Sequence, residues 1–110
     1  MVWNINDPQG GEALKIRHMI VPYTRGQGLD LGPGKWKAWP HFTSVDNFDE
    51  WYDGTWRPDI VGDVTDLSRF ADASMDFVFS SHVLEHLEDT ETVLREWWRV
   101  IKPGGYLVLY

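Results

Sequence analysis

Four short stretches of the chain place polar or permissive residues where they could do chemistry. The first is Asp30-Leu31-Gly32-Pro33-Gly34, whose two glycines let the backbone pass close to a ligand because no Cβ intervenes. The second is Ser44-Val45-Asp46, ending in a carboxylate able to accept both hydroxyl hydrogens of a ribose. In the third, Gly62-Asp63-Val64, Asp63 could accept from an adenine amino group. The fourth, His82-Val83-Leu84-Glu85-His86, reads H-x-x-E-H, the inverted zinc-peptidase order.

On a helix His82 and His86 would share a face and could grip Zn²⁺, with Glu85 as general base. That mechanism wants a third ligand from a downstream helix, and about two dozen residues remain after His86. The segment also follows an apolar strand by two residues. We therefore expect no metal here, and expect His86 and Leu87 to pack against or cap the start of the next helix.

The elements that must position these residues are short. Residues Glu12 to Ile20 read as a helix stopped near Pro22. Gly28–Leu31, Phe42–Asp46, Asp59–Gly62, Met75–Phe79 and Tyr106–Tyr110 read as strands. Each is mostly apolar instead of alternating, as for parallel strands buried on both faces. Asp89–Lys102 is the best helix: Asp89 or Thr90 suits the N-cap, and Glu91 favours the positive end of the dipole. Val93, Leu94, Trp97, Val100 and Ile101 form one apolar stripe, and Glu91 and Arg95 stand four apart in the favourable order. Lys102-Pro103-Gly104-Gly105 then stops that helix. Strands alternating with crossovers predict an open, mainly parallel α/β sheet. In such a sheet ligands bind beyond the carboxyl ends of the strands, where all three acids fall.

The chain's 110 residues suffice for one domain, residues 1–110, with a single core. No apolar run approaches the ~18 residues of a membrane span, and the N-terminus does not read as a signal peptide, so the cytoplasm is the expected location. Zero cysteines exclude disulfides and thiolate metal sites. The net charge of −7 concentrates between residues 46 and 91, where thirteen acidic residues face two arginines. Such a stretch disfavours docking on a phosphate backbone, which makes nucleic acid an unsuitable partner.

A dinucleotide site would want a third glycine and a helix N-terminus for the pyrophosphate. Lys37 occupies that glycine position and Pro40 breaks the segment where the helix would run, so NAD fits poorly. A cofactor with a ribose but no phosphate tolerates the loss better.

The series Leu29-Asp30-Leu31-Gly32-Pro33-Gly34, Ser44-Val45-Asp46 and Gly62-Asp63-Val64 resembles the class I S-adenosylmethionine-dependent methyltransferases. The run Met75-Asp76-Phe77-Val78-Phe79-Ser80-Ser81-His82-Val83-Leu84-Glu85-His86-Leu87-Glu88-Asp89 is its strongest part. With Leu94-Arg95-Glu96 and Arg99 through Gly105, it is similar to the type 11 subgroup, over residues 27–110. The resemblance implies a Rossmann-like sheet of order 3-2-1-4-5 and S-adenosyl-L-methionine as cofactor. Gly32, Pro33 and Gly34 would wrap its methionine end, with Asp30 orienting that loop or meeting the amino group through water. Asp46 would hold the ribose hydroxyls with Asn47 beside it, Asp63 and Val64 would bracket the adenine, and the Ser80 backbone would lie near the methionine moiety. His82 would lie close to where the methyl group points. The implied reaction is methyl transfer to a small-molecule acceptor through an O, N or C atom. The alternative is a catalytically silent binding or assembly module on the same scaffold.

Two departures from that family shape further expectations. Asp30 and Asp46 are 16 residues apart, where the family has more than 20, and Pro40 lies between them. The first crossover helix should therefore be a single turn or absent, with Trp36, Trp39, Trp51 and Trp56 covering part of the sheet. Family sheets also carry sixth and seventh strands beside strand 5. Without them YLVLY would be a bare apolar edge, suited to a homodimer.

Overall fold

The computed structural model describes residues 12–47 and 57–110. Trp51 and Trp56 lie outside the described residues. Five strands form one sheet of order β3-β2-β1-β4-β5: β1 Gly28–Leu31, β2 Thr43–Asp46, β3 Ile60–Val61, β4 Met75–Ser80 and β5 Ile101–Leu109. Every neighbouring pair is parallel, as the apolar strands predict. Asp30 is level with Ser44 on one side and Phe79 on the other, which brings the ends of β1, β2 and β4 to one edge.

Strand alternation divides the core between the two faces. Leu29, Leu31, Val45 and Val78 pack with Val93 and Trp97 of α2, Thr90–Arg99, and with Val100 just after it. Burying each of these apolar side chains contributes roughly 1.5–3 kcal/mol. The opposite face carries Phe77, Phe79 and Phe42 with Ala38, and with Ala13 and Ile20 from the N-terminal segment. Asp89 caps α2 from a left-handed backbone (φ 46°), accepting the Thr92 N–H and hydroxyl. Arg95 and Glu91 pair at 2.7 Å, as their spacing predicts.

Several boundaries differ from the sequence expectations. The first helix, α1, spans Glu12–Ile16 and does not reach residue 20. Beyond it the carbonyls take partners other than an α-helical ladder: Ile16 O accepts from Met19 N, Arg17 O from Trp39 Nε1, and Ile20 O from Tyr23 N and Thr24 Oγ1. β3 is two residues, not four. α2 ends at Arg99, and β5 begins at Ile101 instead of Tyr106. Val100 O accepts from Ser74 and Met75, so β4 captures the chain immediately after the helix. Lys102-Pro103-Gly104-Gly105 thus lies within the strand, opposite a register shift between Met75 and Phe77.

No helix connects β1 to β2, as Pro40 and the short spacing predict. Trp39 replaces part of it: half-buried, it packs against the Phe42–Phe77–Phe79 cluster, bonds Arg17 O at 2.7 Å and lies under the Arg17 guanidinium. Trp36 is half-buried in the same connection, and its Nε1 has no hydrogen-bond partner among the described residues.

Candidate functional site

A cavity of about 410 Å³ opens at the carboxyl end of the sheet, lined by Gly32, Pro33, Gly34, Asp46, Asn47, Asp63, Val64, His82, Val83, His86 and Leu87. It lies where the strand order reverses at β1, the place an open α/β sheet offers to ligands. Its volume falls in the ordinary range of small-molecule sites, about 300–1,000 Å³.

The glycine turn after β1 has a backbone that only glycine adopts easily. Gly32 and Gly34 have φ of 70° and 62°. A Cβ on Gly32 would stand 2.6 Å from Val83 Cγ2, so this turn and the segment after β4 close on each other. The turn is held by carboxylates. Asp46 Oδ2 accepts the Gly34 N–H at 3.0 Å, while Oδ1 accepts the Asn47 N–H at 2.8 Å. Each oxygen retains acceptor capacity and Asp46 lines the cavity, which is what a vicinal diol requires.

Asp30 and Ser80 are absent from the cavity wall. Asp30 is buried beneath the turn, where Oδ2 accepts the Ala38 N–H at 3.0 Å. Burial pushes its carboxyl up to about 7, against the opposing pull of the Ala38 N–H and of Lys37; Asp46 adds a smaller upward push. Asp30 thus lies beneath the loop with its carboxylate on the loop backbone. Ser80 is also buried, and its hydroxyl donates to Leu31 O at 3.0 Å, tying the ends of β4 and β1. Asp63 uses Oδ1 on the Thr65 N–H and hydroxyl and remains exposed at the mouth. Val64 lines the cavity, packs against the core and gives its carbonyl to Trp97 Nε1.

Lys37 and Asp59 were not among the expected site residues, and both brace it. Lys37 Nζ donates to Pro40 O, Phe42 O and Asp59 Oδ2, gathering the connection that has no helix. Asp59 also accepts from the Ser44 N–H and hydroxyl, and these bonds with Lys37 hold its carboxyl below the ordinary range despite partial burial. Lysine in the third glycine position was the available signal. Val83, His86 and Leu87 were likewise not foreseen as cavity wall. His86 and Leu87 do not cap α2; they wall the cavity, and Leu87 packs on the core.

The H-x-x-E-H segment does not form an α-helix. His82 has a left-handed backbone (φ 56°), and Leu84–His86 is one 3₁₀ turn. The i, i+4 face that would pair the two imidazoles is therefore not built. Among the described residues no group of three or more His, Asp or Glu is gathered to hold a metal ion.

Comparison with known proteins identifies relatives of this chain. Residues 29–109 match the family model described as a methyltransferase domain. A demethylmenaquinone methyltransferase of Streptomyces avermitilis is 44% identical over 54 residues, 49% of this chain and 23% of that protein. Ajmaline N-methyltransferase of Rauvolfia serpentina is 39% identical over 49 residues, 44% of this chain and 16% of that one. Among solved structures, the methyltransferase complexed with the Haloferax volcanii Trm112 activator superposes with TM-score 0.66 and 27% identity, over 87% of this chain and 50% of that one. A SAM-dependent methyltransferase of Thermotoga maritima gives TM-score 0.65 at 23% identity, over 88% and 48%. The chain spans about half the length of these structures, and its matched segments span under a quarter of the curated relatives.

Proposed function

The chain belongs to the S-adenosylmethionine-dependent methyltransferases, and from that premise we propose that its cavity binds S-adenosyl-L-methionine for methyl transfer to a small-molecule acceptor. The observation that carries the reading is the pairing of Asp46 with the glycine turn. One carboxylate both holds Gly34 in place and lines the cavity with acceptor capacity left over. In this reading Gly32, Pro33 and Gly34 take the methionine end, Asp46 and Asn47 the ribose, and Asp63 and Val64 the adenine. Asp30 and Ser80 support the turn from beneath. Bound there, the cofactor supplies a methyl group on a sulfonium. Transfer then depends on in-line placement of the acceptor, which the chain supplies by shape and by excluding water.

Relatives named for demethylmenaquinone and for ajmaline favour a small acceptor. The acidic middle of the chain argues against a nucleic acid. Calorimetric titration of the 110-residue chain with S-adenosylmethionine, beside Asp46→Ala, tests the reading. Micromolar binding that the variant loses is the expected result; no binding by the parent chain would overturn it.

We also propose that β5, the outermost strand of the sheet among the described residues, pairs with a second copy. Tyr106, Leu109 and Tyr110 are exposed there, beside Trp98 at 61% exposure. Sedimentation at micromolar concentration should show a dimer; monomer alone would rule this out.

No helix among the described residues is long and apolar enough to cross a membrane.

A further inference from the structure

We propose that α2 sets the nucleobase selectivity of the cofactor site: Trp97, Glu96 and Arg99 are positioning residues for the wall that meets the adenine. None of the three is among the residues that line the cavity. The inference deepens the cofactor reading above and rests on it.

The wall has no framework of its own. Asp63 and Val64 follow β3, a strand of two residues, and no helix connects β3 to β4. Gly62 N–H ties one end of the connection to Asp46 O. Beyond that the chain bonds to itself through short turns. Asp66 N–H donates to Asp63 O and Phe70 N–H to Leu67 O, while the Asp63 and Asp66 carboxylates accept from the residues two ahead. Turns of this kind fix local shape, and the placement of the loop is left to contacts outside it.

α2 supplies those contacts. Trp97, fully buried, donates its Nε1–H to Val64 O at 2.8 Å, so the residue it holds is itself cavity wall. Glu96 Oε2 accepts the Leu67 N–H at 2.9 Å, and Arg99 Nη2 donates to Leu67 O at 2.9 Å. Both backbone polar groups of Leu67 are thus met by one ion pair, closed by Arg99 Nε on Glu96 Oε1 at 2.8 Å. Arg99 Nη1 reaches on to Phe70 O at 3.0 Å and to Asp72 Oδ1 at 2.6 Å. The guanidinium first, and then the Leu67 N–H, holds the Glu96 carboxyl below the ordinary range against its partial burial. Leu67 is also buried by its side chain, with Val64 and Phe70 packed on the same core. Hydrogen bonds and apolar packing therefore fix the same residues.

Placement matters here because of what a carboxylate can read. Adenine carries an amino group at its 6 position, and a carboxylate accepts from it. Hypoxanthine carries an oxygen there, and two acceptors face each other. A carboxylate free to swing away tolerates the oxygen; one held in place does not. Asp63 Oδ1 is already engaged by the Thr65 N–H and hydroxyl, which fixes the side chain on the loop. The α2 bonds fix the loop on the sheet.

Calorimetry of the 110-residue chain with S-adenosylhomocysteine and with S-inosylhomocysteine, a 6-amino and a 6-oxo purine, tests this. The parent should prefer the adenine ligand by about tenfold or more. Trp97→Phe keeps a ring in the core and removes the N–H. Arg99→Lys keeps the charge and removes the fork that reaches several acceptors at once. Each should reduce the preference to about threefold or less. Val93→Ala deletes a buried contact of α2 that makes none of these bonds; it should lower the melting temperature and keep the parent's preference. A folded variant that keeps that preference overturns the role of its residue, and if Trp97→Phe does not fold, Arg99→Lys decides alone. Equal binding of both ligands by the parent, or a preference lost in Val93→Ala as well, would overturn the inference while the cofactor reading stands. If the parent binds neither ligand, both fall.

Discussion

Asp46 Oδ2 accepts the Gly34 N–H at 3.0 Å across the β1–β2 boundary. The acid that ends the second strand thereby pins the turn after the first. A crossover helix would ordinarily brace such a turn through its own backbone ladder. Here the bracing comes from side chains: Asp46 on Gly34, Asp30 on Ala38, and Lys37 on Pro40, Phe42 and Asp59.

Gly32→Ala should abolish cofactor binding and destabilise the fold. The left-handed φ costs an alanine about 1–2 kcal/mol, and its methyl would press on Val83 Cγ2 at 2.6 Å. A fall in melting temperature together with lost calorimetric heat is the expected pair of results. An alanine variant that binds as the parent does would show that the turn does not approach Val83 this closely.

Asp30 should make stability depend on pH. Its folded carboxyl is raised from 3.8 to about 7, so the folded chain binds this proton more tightly than the unfolded one. The contribution is fully present below pH 3.8, declines as pH rises, and is lost by about pH 7. For a buried group such a shift amounts to something on the order of 4 kcal/mol. Asp30→Asn should flatten the dependence of unfolding free energy on pH across that window. An unchanged slope in urea titrations at pH 5 and 7 would contradict it.

Lys37 and Asp59 should be energetically coupled. Their 3.0 Å pair is partly exposed, and exposed pairs contribute roughly 0.2–1 kcal/mol. A double-mutant cycle of Lys37→Met and Asp59→Asn should return a coupling of that size. Each single change should cost more than the coupling, because Phe42 O and Ser44 also lose their partners. Additive single effects would mean the two act on separate parts of the sheet.

Trp39→Ala should melt at a clearly lower temperature. The indole is half-buried against the phenylalanine face and bonds Arg17 O, so its removal opens a cavity worth about 2–4 kcal/mol. An unaltered melting point would show that the face is covered by something else.

Much of this molecule was legible in its residues because the deciding forces were local. Mostly apolar runs such as MDFVF, whose one polar side chain is Asp76, have little to offer water and so become buried parallel strands. Pro40 removes a donor that a crossover helix needs, and the structure has no helix there. The position of Asp46 at a strand end followed from Ser44-Val45-Asp46 alone. Other features depended on partners distant in sequence. Val100 O is taken by Ser74 and Met75, and this drew Lys102–Gly105 into β5 although Pro and Gly argue for a turn. Whether Asp30 meets a ligand or braces a loop depended on Ala38 lying over it. The H-x-x-E-H spacing is compatible with a metal-binding helix face; the backbone of His82, held by Tyr110 at the end of the last strand, decided against that helix. The sequence by itself determined the succession of strands along the chain and the acids at their ends, because side-chain polarity and backbone freedom act residue by residue. Only the tertiary structure decided which of those acids face the cavity and which lie under it, because burial is a property of what packs above.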